Sequence, residues 1–147
     1  MCSSAAALTY DGSGDFVTTL LARCDASGID VVHRHFLPHS LGTFYTAVCQ
    51  FIGFDRFGEE YKVMGLAAHR EPRSARDMER LARTEADGLF SLDTASFATM
   101  TGTRMETVDA QGEIVLPRMY SDAFIERFGA PRVRGAELNG RRAGGPT

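Results

Sequence analysis

Apolar and β-branched residues fill three short runs at the start of the chain, each closed by a turn signal. Ala6 to Tyr10 reads as a short buried strand, and Phe16 to Arg23, rich in Val, Thr and Leu, as a second. Ile29 to Phe36, with its Val-Val-His-Arg-His centre, reads as a third. Asp11-Gly12-Ser13-Gly14-Asp15 lies between the first two, with glycines that tolerate φ > 0, and Asp25-Ala26-Ser27-Gly28 between the next two. Short turns between consecutive strands predict an antiparallel meander.

The period changes after Pro38. Ser40 is placed to cap a helix in which Leu41, Phe44, Tyr45, Val48, Cys49 and Ile52 recur at helical spacing, and Gly53 to end it. A second helix is expected from Glu59 to about Ala68, and a third, polar one from Ser74 through about Arg83. Leu89 to Phe97 reads as a strand or an irregular segment, and Ile114 to Leu116 as a brief strand. Ser121 caps a last short helix ending near Phe128-Gly129, stopped by Pro131. This order predicts an α/β fold (α+β, mixed sheet), with a three-stranded meander followed by helices. One domain is expected over residues 1–134, with a disordered Gly/Arg-rich tail over 135–147.

Composition narrows the function classes. A 147-residue chain has room for one ordinary domain, and 44% apolar residues suffice for a core. A formal charge of −3 gives no electrostatic case for nucleic acid or an anionic membrane. No apolar run approaches the ~20 residues that span a bilayer. Cys2, Cys24 and Cys49 have no CxxC or metal-like spacing and fit reduced thiols in a cytoplasmic protein.

Candidate chemistry concentrates in two places. Asp11, Gly12 and Gly14 sit on a loop whose backbone N–H groups could approach phosphates while the aspartate holds a cation; an ordinary hairpin turn uses the same residues. Lys62 is the only lysine beside fifteen arginines, within Glu60-Tyr61-Lys62-Val63-Met64-Gly65-Leu66-Ala67. Glu60 could accept from ribose hydroxyls and Lys62 face a phosphate; alternatively Lys62 pairs with Glu59 at i,i+3 on a solvent face. His33, His35 and His39 could form a metal site or be partly buried packing residues, because no carboxylate or cysteine completes the set. His69 reads as a helix-end residue, and Cys49 as core.

His39-Ser40-Leu41-Gly42, Phe44-Tyr45, Phe51-Ile52-Gly53-Phe54 and the Glu60-to-Ala67 block together resemble the O-carbamoyltransferases of nodulation-factor and antibiotic biosynthesis. The match runs back to Leu8–Asp15 and forward through Asp87–Leu92, Tyr120–Asp122 and Phe128–Arg132. The resemblance implies part of an actin or sugar-kinase type ATPase domain, similar to the tRNA threonylcarbamoyl-transferase catalytic subunit. It implies transfer of a carbamoyl group from carbamoyl-adenylate, made from carbamoyl phosphate and ATP, to a hydroxyl of a sugar or natural-product scaffold. It also implies a divalent metal (iron or magnesium) at Asp11, with Gly12 and Gly14 on the same loop and Glu60 and Lys62 near the nucleotide. The family's paired metal-ligand histidines and its adenylating domain have no counterpart here, so the chain reads as an internal fragment. Such a fragment is expected to be inactive alone; the alternatives are a nucleotide- or partner-binding module that complements a second chain, or an inactive truncated remnant.

Overall fold

The three opening runs become one antiparallel sheet in a computed structural model that describes residues 3–68, 74–98 and 107–137. Strand β1 (Ser4–Gly14) pairs with β2 (Val17–Asp25), which pairs with β3 (Gly28–Phe36), in the order β1-β2-β3. The meander is therefore as expected, but its first turn is not where the glycines suggest. Gly14 pairs with Val17, so the two-residue loop is Asp15-Phe16, and these two adopt φ of 49° and 72°. Right-handed strand twist favours such a primed turn. Gly12 and Gly14 stay outside the left-handed region. At the other turn the Asp25 carboxylate accepts the N–H of Ser27 at 2.8 Å and Gly28 takes φ +138°.

Helix α1 (Leu41–Phe51) follows, then α2 (Glu60–Ala67) and α3 (Ala75–Leu81). Ser40 caps α1 by accepting the Thr43 N–H at 3.0 Å. Gly53 ends it at φ +87°, donating its N–H to Gln50 O. The third helix stops two residues early because Ala82–Thr84 leaves it as strand β4, pairing with β5 (Phe90–Leu92). A 3₁₀ turn (Thr94–Ser96) continues the 89–97 segment, so that stretch is partly strand and partly helical. Strand β6 (Thr107–Val108), which periodicity missed, pairs with β7 (Ile114–Val115). Helix α4 (Asp122–Phe128) is capped by Ser121 and ended at Gly129, as the spacing suggests. Among the described residues every strand pairing is antiparallel, so the expected mixed sheet is not formed. Strands joined by short turns pair with their sequence neighbours, and the α/β character is a three-stranded antiparallel meander followed by helices and short hairpins. His69 and the tail residues 138–147 lie outside the described residues.

The core lies beneath one side of α1. Phe44, Ala47, Val48 and Phe51, at helical spacing, meet Leu81, Leu92, Phe97, Phe124 and Phe128. Aromatic edges close it: the Phe124 ring centroid lies 4.8 Å from that of Phe51 and 4.6 Å from that of Phe128. Gln50 ties the far segment down, donating to Pro117 O at 3.0 Å and accepting from Met119 N at 2.9 Å. This leaves the opposite side of α1, marked by Gly42, Tyr45, Thr46 and Cys49, for other contacts.

Candidate functional site

Asp11 and Gly12 are displaced from the sheet toward α1. Tyr10 pairs with Thr19 and Gly14 with Val17, so residues 11–13 of β1 oppose Thr18 alone, and the strand bulges. Thr18 is buried and donates through Oγ1 to His39 O at 2.6 Å and His35 O at 3.3 Å. The bulge is thereby aimed at the start of α1. There the buried Ser40 Oγ donates to Asp11 O at 3.0 Å while capping the helix.

Gly42 explains how close this approach is. A Cβ at residue 42 would lie 2.7 Å from Gly12 N and 2.8 Å from Gly12 Cα, inside any normal contact. A Cβ at residue 12 would meet nothing within 4 Å. Gly42 is thus required by packing, whereas nothing inside the fold requires glycine at 12. The missing side chain there leaves backbone open to an approaching ligand. The exposed Asp11 carboxylate turns Oδ1 onto the Gly12 N–H at 2.6 Å.

Glu60 reaches the same side of α1. Its Oε1 accepts from Thr46 Oγ1 at 3.1 Å, and its carbonyl accepts from Tyr45 OH at 3.2 Å. Tyr45 and Thr46 follow Gly42 by three and four residues, which is about one helical turn, or ~5–6 Å of rise. Asp11-Gly12 and Glu60 therefore flank neighbouring turns of one helix face. Cys49, one turn further along that face, is buried as expected, beside rather than within the main aromatic cluster. Burial, with the Glu60 charge second, pushes its thiol up to about 12, so it stays protonated and is no nucleophile. Burial, then Cys49 and Glu60, likewise raises Tyr45.

Lys62 points elsewhere. Two residues from Glu60 on a helix, it faces away from it and ion-pairs with Glu59 Oε1 at 2.7 Å, the i,i+3 alternative. Sequence reasoning missed the anchor of that pair. Arg134 donates from Nη1 to Glu59 Oε2 at 2.7 Å and from Nη2 to Oε1 at 2.8 Å, and also reaches Asp55 at 2.5 Å. The Arg134 fork first, with Lys62 and the Arg56 N–H assisting, holds the Glu59 carboxyl at about 2 despite burial. No local signal reveals this partner, because Arg134 lies far along the chain.

The three histidines form a stack of rings. His35 lies 6.1 Å from His33 and 5.5 Å from His39 by ring centroids, and 4.6 Å from Phe90. Among the described residues no group of three or more His, Cys, Asp or Glu side chains is arranged to hold a metal ion. Asp11 offers a single carboxylate, so the residues present do not by themselves make a metal centre. No helix among the described residues is long and apolar enough to cross a membrane.

The carbamoyltransferase N-terminus family model matches residues 1–120. The chain belongs to that family. This carbamoyltransferase-family chain is 34% identical over 129 residues to an uncharacterized protein, sll1178, of Synechocystis sp., covering 87% of the chain and 19% of that protein. It is 42% identical over 73 residues to nodulation protein NolNO of Sinorhizobium fredii, covering 48% of the chain and 10% of NolNO. Nodulation protein NolO of Bradyrhizobium diazoefficiens is 39% identical over 70 residues, 46% of the chain and 12% of NolO. The chain thus spans between a tenth and a fifth of these relatives' length. The carbamoyltransferase match takes in the bulge, α1 and α2 but ends before Arg134.

Proposed function

We propose that this chain supplies the nucleotide-holding part of an O-carbamoyltransferase catalytic domain of the actin and sugar-kinase ATPase type. The observation that carries the reading is the convergence of the Asp11-Gly12 bulge and Glu60 on one face of α1, within about one turn. Each feature suits a nucleoside phosphate. The open Cα side of Gly12 admits a phosphate oxygen to the bulge backbone once the exposed Asp11 carboxylate, which accepts the Gly12 N–H at 2.6 Å, turns aside, with Gly14 on the same strand end. The Glu60 carboxylate, oriented by Thr46, accepts from ribose hydroxyls. Lys62, paired with Glu59 and turned away from Glu60, is given no direct contact in this reading.

In the whole protein the ligand held here is the adenylate half of carbamoyl-adenylate, formed from carbamoyl phosphate and ATP. A hydroxyl of a small sugar or natural-product acceptor attacks the carbamoyl carbon, the bond to the phosphate oxygen breaks, AMP leaves, and the hydroxyl proton goes to solvent or a base. No step is assigned to a metal: among the described residues no group of three or more possible ligands is arranged to hold one, and Asp11 would contribute a single carboxylate. The setting is cytoplasmic, in keeping with reduced thiols.

A second reading is a nucleotide- or partner-binding module that complements another polypeptide. The exposed apolar side chains of the sheet favour it: Leu8, Tyr10, Ile29 and Val32 are each more than half exposed. Under both readings the chain alone carbamoylates no hydroxyl. Thermal melting with increasing ATP–Mg tests the shared core, since a ligand that binds only the folded state raises the midpoint. A rising midpoint is expected; an unchanged one at millimolar nucleotide contradicts nucleotide holding under either reading and leaves a partner-binding module or an inactive remnant.

A further inference from the structure

The histidine cluster is one of the places where the sheet meets the rest of the fold. His39 Nδ1 accepts the Leu92 N–H at 3.0 Å, which requires the Nε2–H tautomer. His35 packs its ring on Phe90, the first residue of the same strand β5. His39 also offers its carbonyl to Thr18 at 2.6 Å and immediately precedes Ser40, the residue bonded to Asp11 O. Leu92 is a core residue. One residue thus links the core through its ring, β2 through its backbone carbonyl, and, as the neighbour of Ser40, the helix start that fixes the bulge.

We propose that His33, His35 and His39 form a proton-operated latch, in which His39 is a positioning residue for the Asp11-Gly12 bulge and protonation of the stack releases it. The chemistry is direct. An imidazolium carries hydrogen on both nitrogens, so His39⁺ cannot accept from Leu92, and two N–H donors then face each other. Charge on any ring lies about 6 Å from a second ring that resists a like charge. The Nε2 atoms of His33 and His35 are enclosed without a hydrogen-bond partner, so a proton added at Nε2 gains no acceptor there. The titratable groups that act on His35 are His39, His33 and Asp87, the last from the β4–β5 turn.

Burial first, then His39, holds His35 below the ordinary 6.5, with His33 adding to that, while the Phe90 backbone and Asp87 act in the opposite sense. The neutral form is favoured in the fold. His35's contribution is therefore complete above the unfolded value and is lost as pH falls through the lower folded one. Acid opens the latch and neutral pH closes it.

The mechanical part stands on the histidine contacts; that the latch governs nucleotide affinity rests on the function proposed above. The test is amide hydrogen exchange of the full chain without nucleotide, corrected for the intrinsic pH dependence. Leu92 protection is expected to fall roughly tenfold between about pH 7.5 and 5.5, the loss of one such bond. Gly12 protection should fall with it. His39→Asn retains an acceptor that does not titrate, and its Leu92 protection should stay flat across the same range. Flat protection in the unmodified chain, or an equal fall in His39→Asn, overturns the latch. Imidazole nitrogen shifts of the unmodified chain give a check that needs no variant. His39 in the Nδ1–H tautomer at pH 7.5 also overturns it. ATP–Mg affinity, measured separately, should fall over the same range in the unmodified chain only. Absence of nucleotide binding at both pH values counts against the proposed function, and the latch is then judged on Leu92.

Discussion

Replacing Gly42 with alanine asks whether the bulge is really pressed against α1. The new methyl carbon would lie 2.7 Å from Gly12 N, 2.8 Å from Gly12 Cα and 2.9 Å from Asp11 C. All three are backbone atoms, so no rotamer change relieves the overlap. The bulge cannot simply retreat, because Ser40 Oγ holds Asp11 O at 3.0 Å and the same hydroxyl caps the helix. Overpacking of this kind costs ~1–3 kcal/mol. Alanine recovers at most ~1 kcal/mol of helix propensity, and less in the first turn. The net expectation is a loss of ~1–2 kcal/mol, or about 3–8 °C in Tm for a domain of this size. Urea unfolding of the full chain measures it, with Gly65→Ala as the matched control. Gly65 is also helical, but its added Cβ meets nothing within 4 Å. That variant should gain ~0.5–1 kcal/mol. Opposite signs are the prediction. A Gly42→Ala chain as stable as its parent would mean that the bulge does not rest on α1, and the proposed site would lose its floor.

Ser40→Ala removes the cap and leaves Asp11 O and Thr43 N without their buried partner, so a loss of ~1–3 kcal/mol is expected in the same urea assay. Glu59→Gln tests the anchor of Lys62. The Glu59 carboxyl sits at about 2 against an ordinary 4.5, so its contribution is present above the ordinary value and is lost as pH falls toward the folded one. The parent should therefore lose more stability than Glu59→Gln between about pH 5 and 2, followed by denaturation at stepped pH. Parallel pH profiles would show that the Arg134 fork contributes little to the fold.

Much of the fold was legible because its signals are local. Ser40, Gly53 and Ser121 mark helix ends by backbone chemistry that involves only their near neighbours. The β1–β2 turn was misplaced for an instructive reason. Gly12 and Gly14 look like turn residues, yet one lies on a bulge and the other pairs in the ladder, while Asp15 and Phe16 take the positive φ. Strand twist and the packing of α1 decided the register, and neither is visible in a pentapeptide. The short strands β4 and β6 escaped for lack of length. At the site, Asp11, Gly12 and Glu60 were nameable from the sequence, but their relation through Gly42, Tyr45 and Thr46 required α1 as the common floor. Lys62 illustrates the opposite case. Its rarity drew notice, yet its position is set by Glu59 and by Arg134, a partner no window around residue 62 contains.

The central claim is that the Asp11-Gly12 bulge and Glu60 together hold a nucleotide. Amide chemical-shift mapping of the full chain on addition of ATP–Mg tests it most directly, with Gly12→Ala beside the parent. A Cβ at residue 12 meets nothing in the fold, so this variant should match the parent's stability within ~0.5 kcal/mol while filling the space offered to the phosphate. The account predicts shifts centred on residues 11–14, the first turns of α1 and Glu60, and at least roughly tenfold weaker binding by Gly12→Ala. Shifts confined to another face, or full affinity in Gly12→Ala, would contradict it.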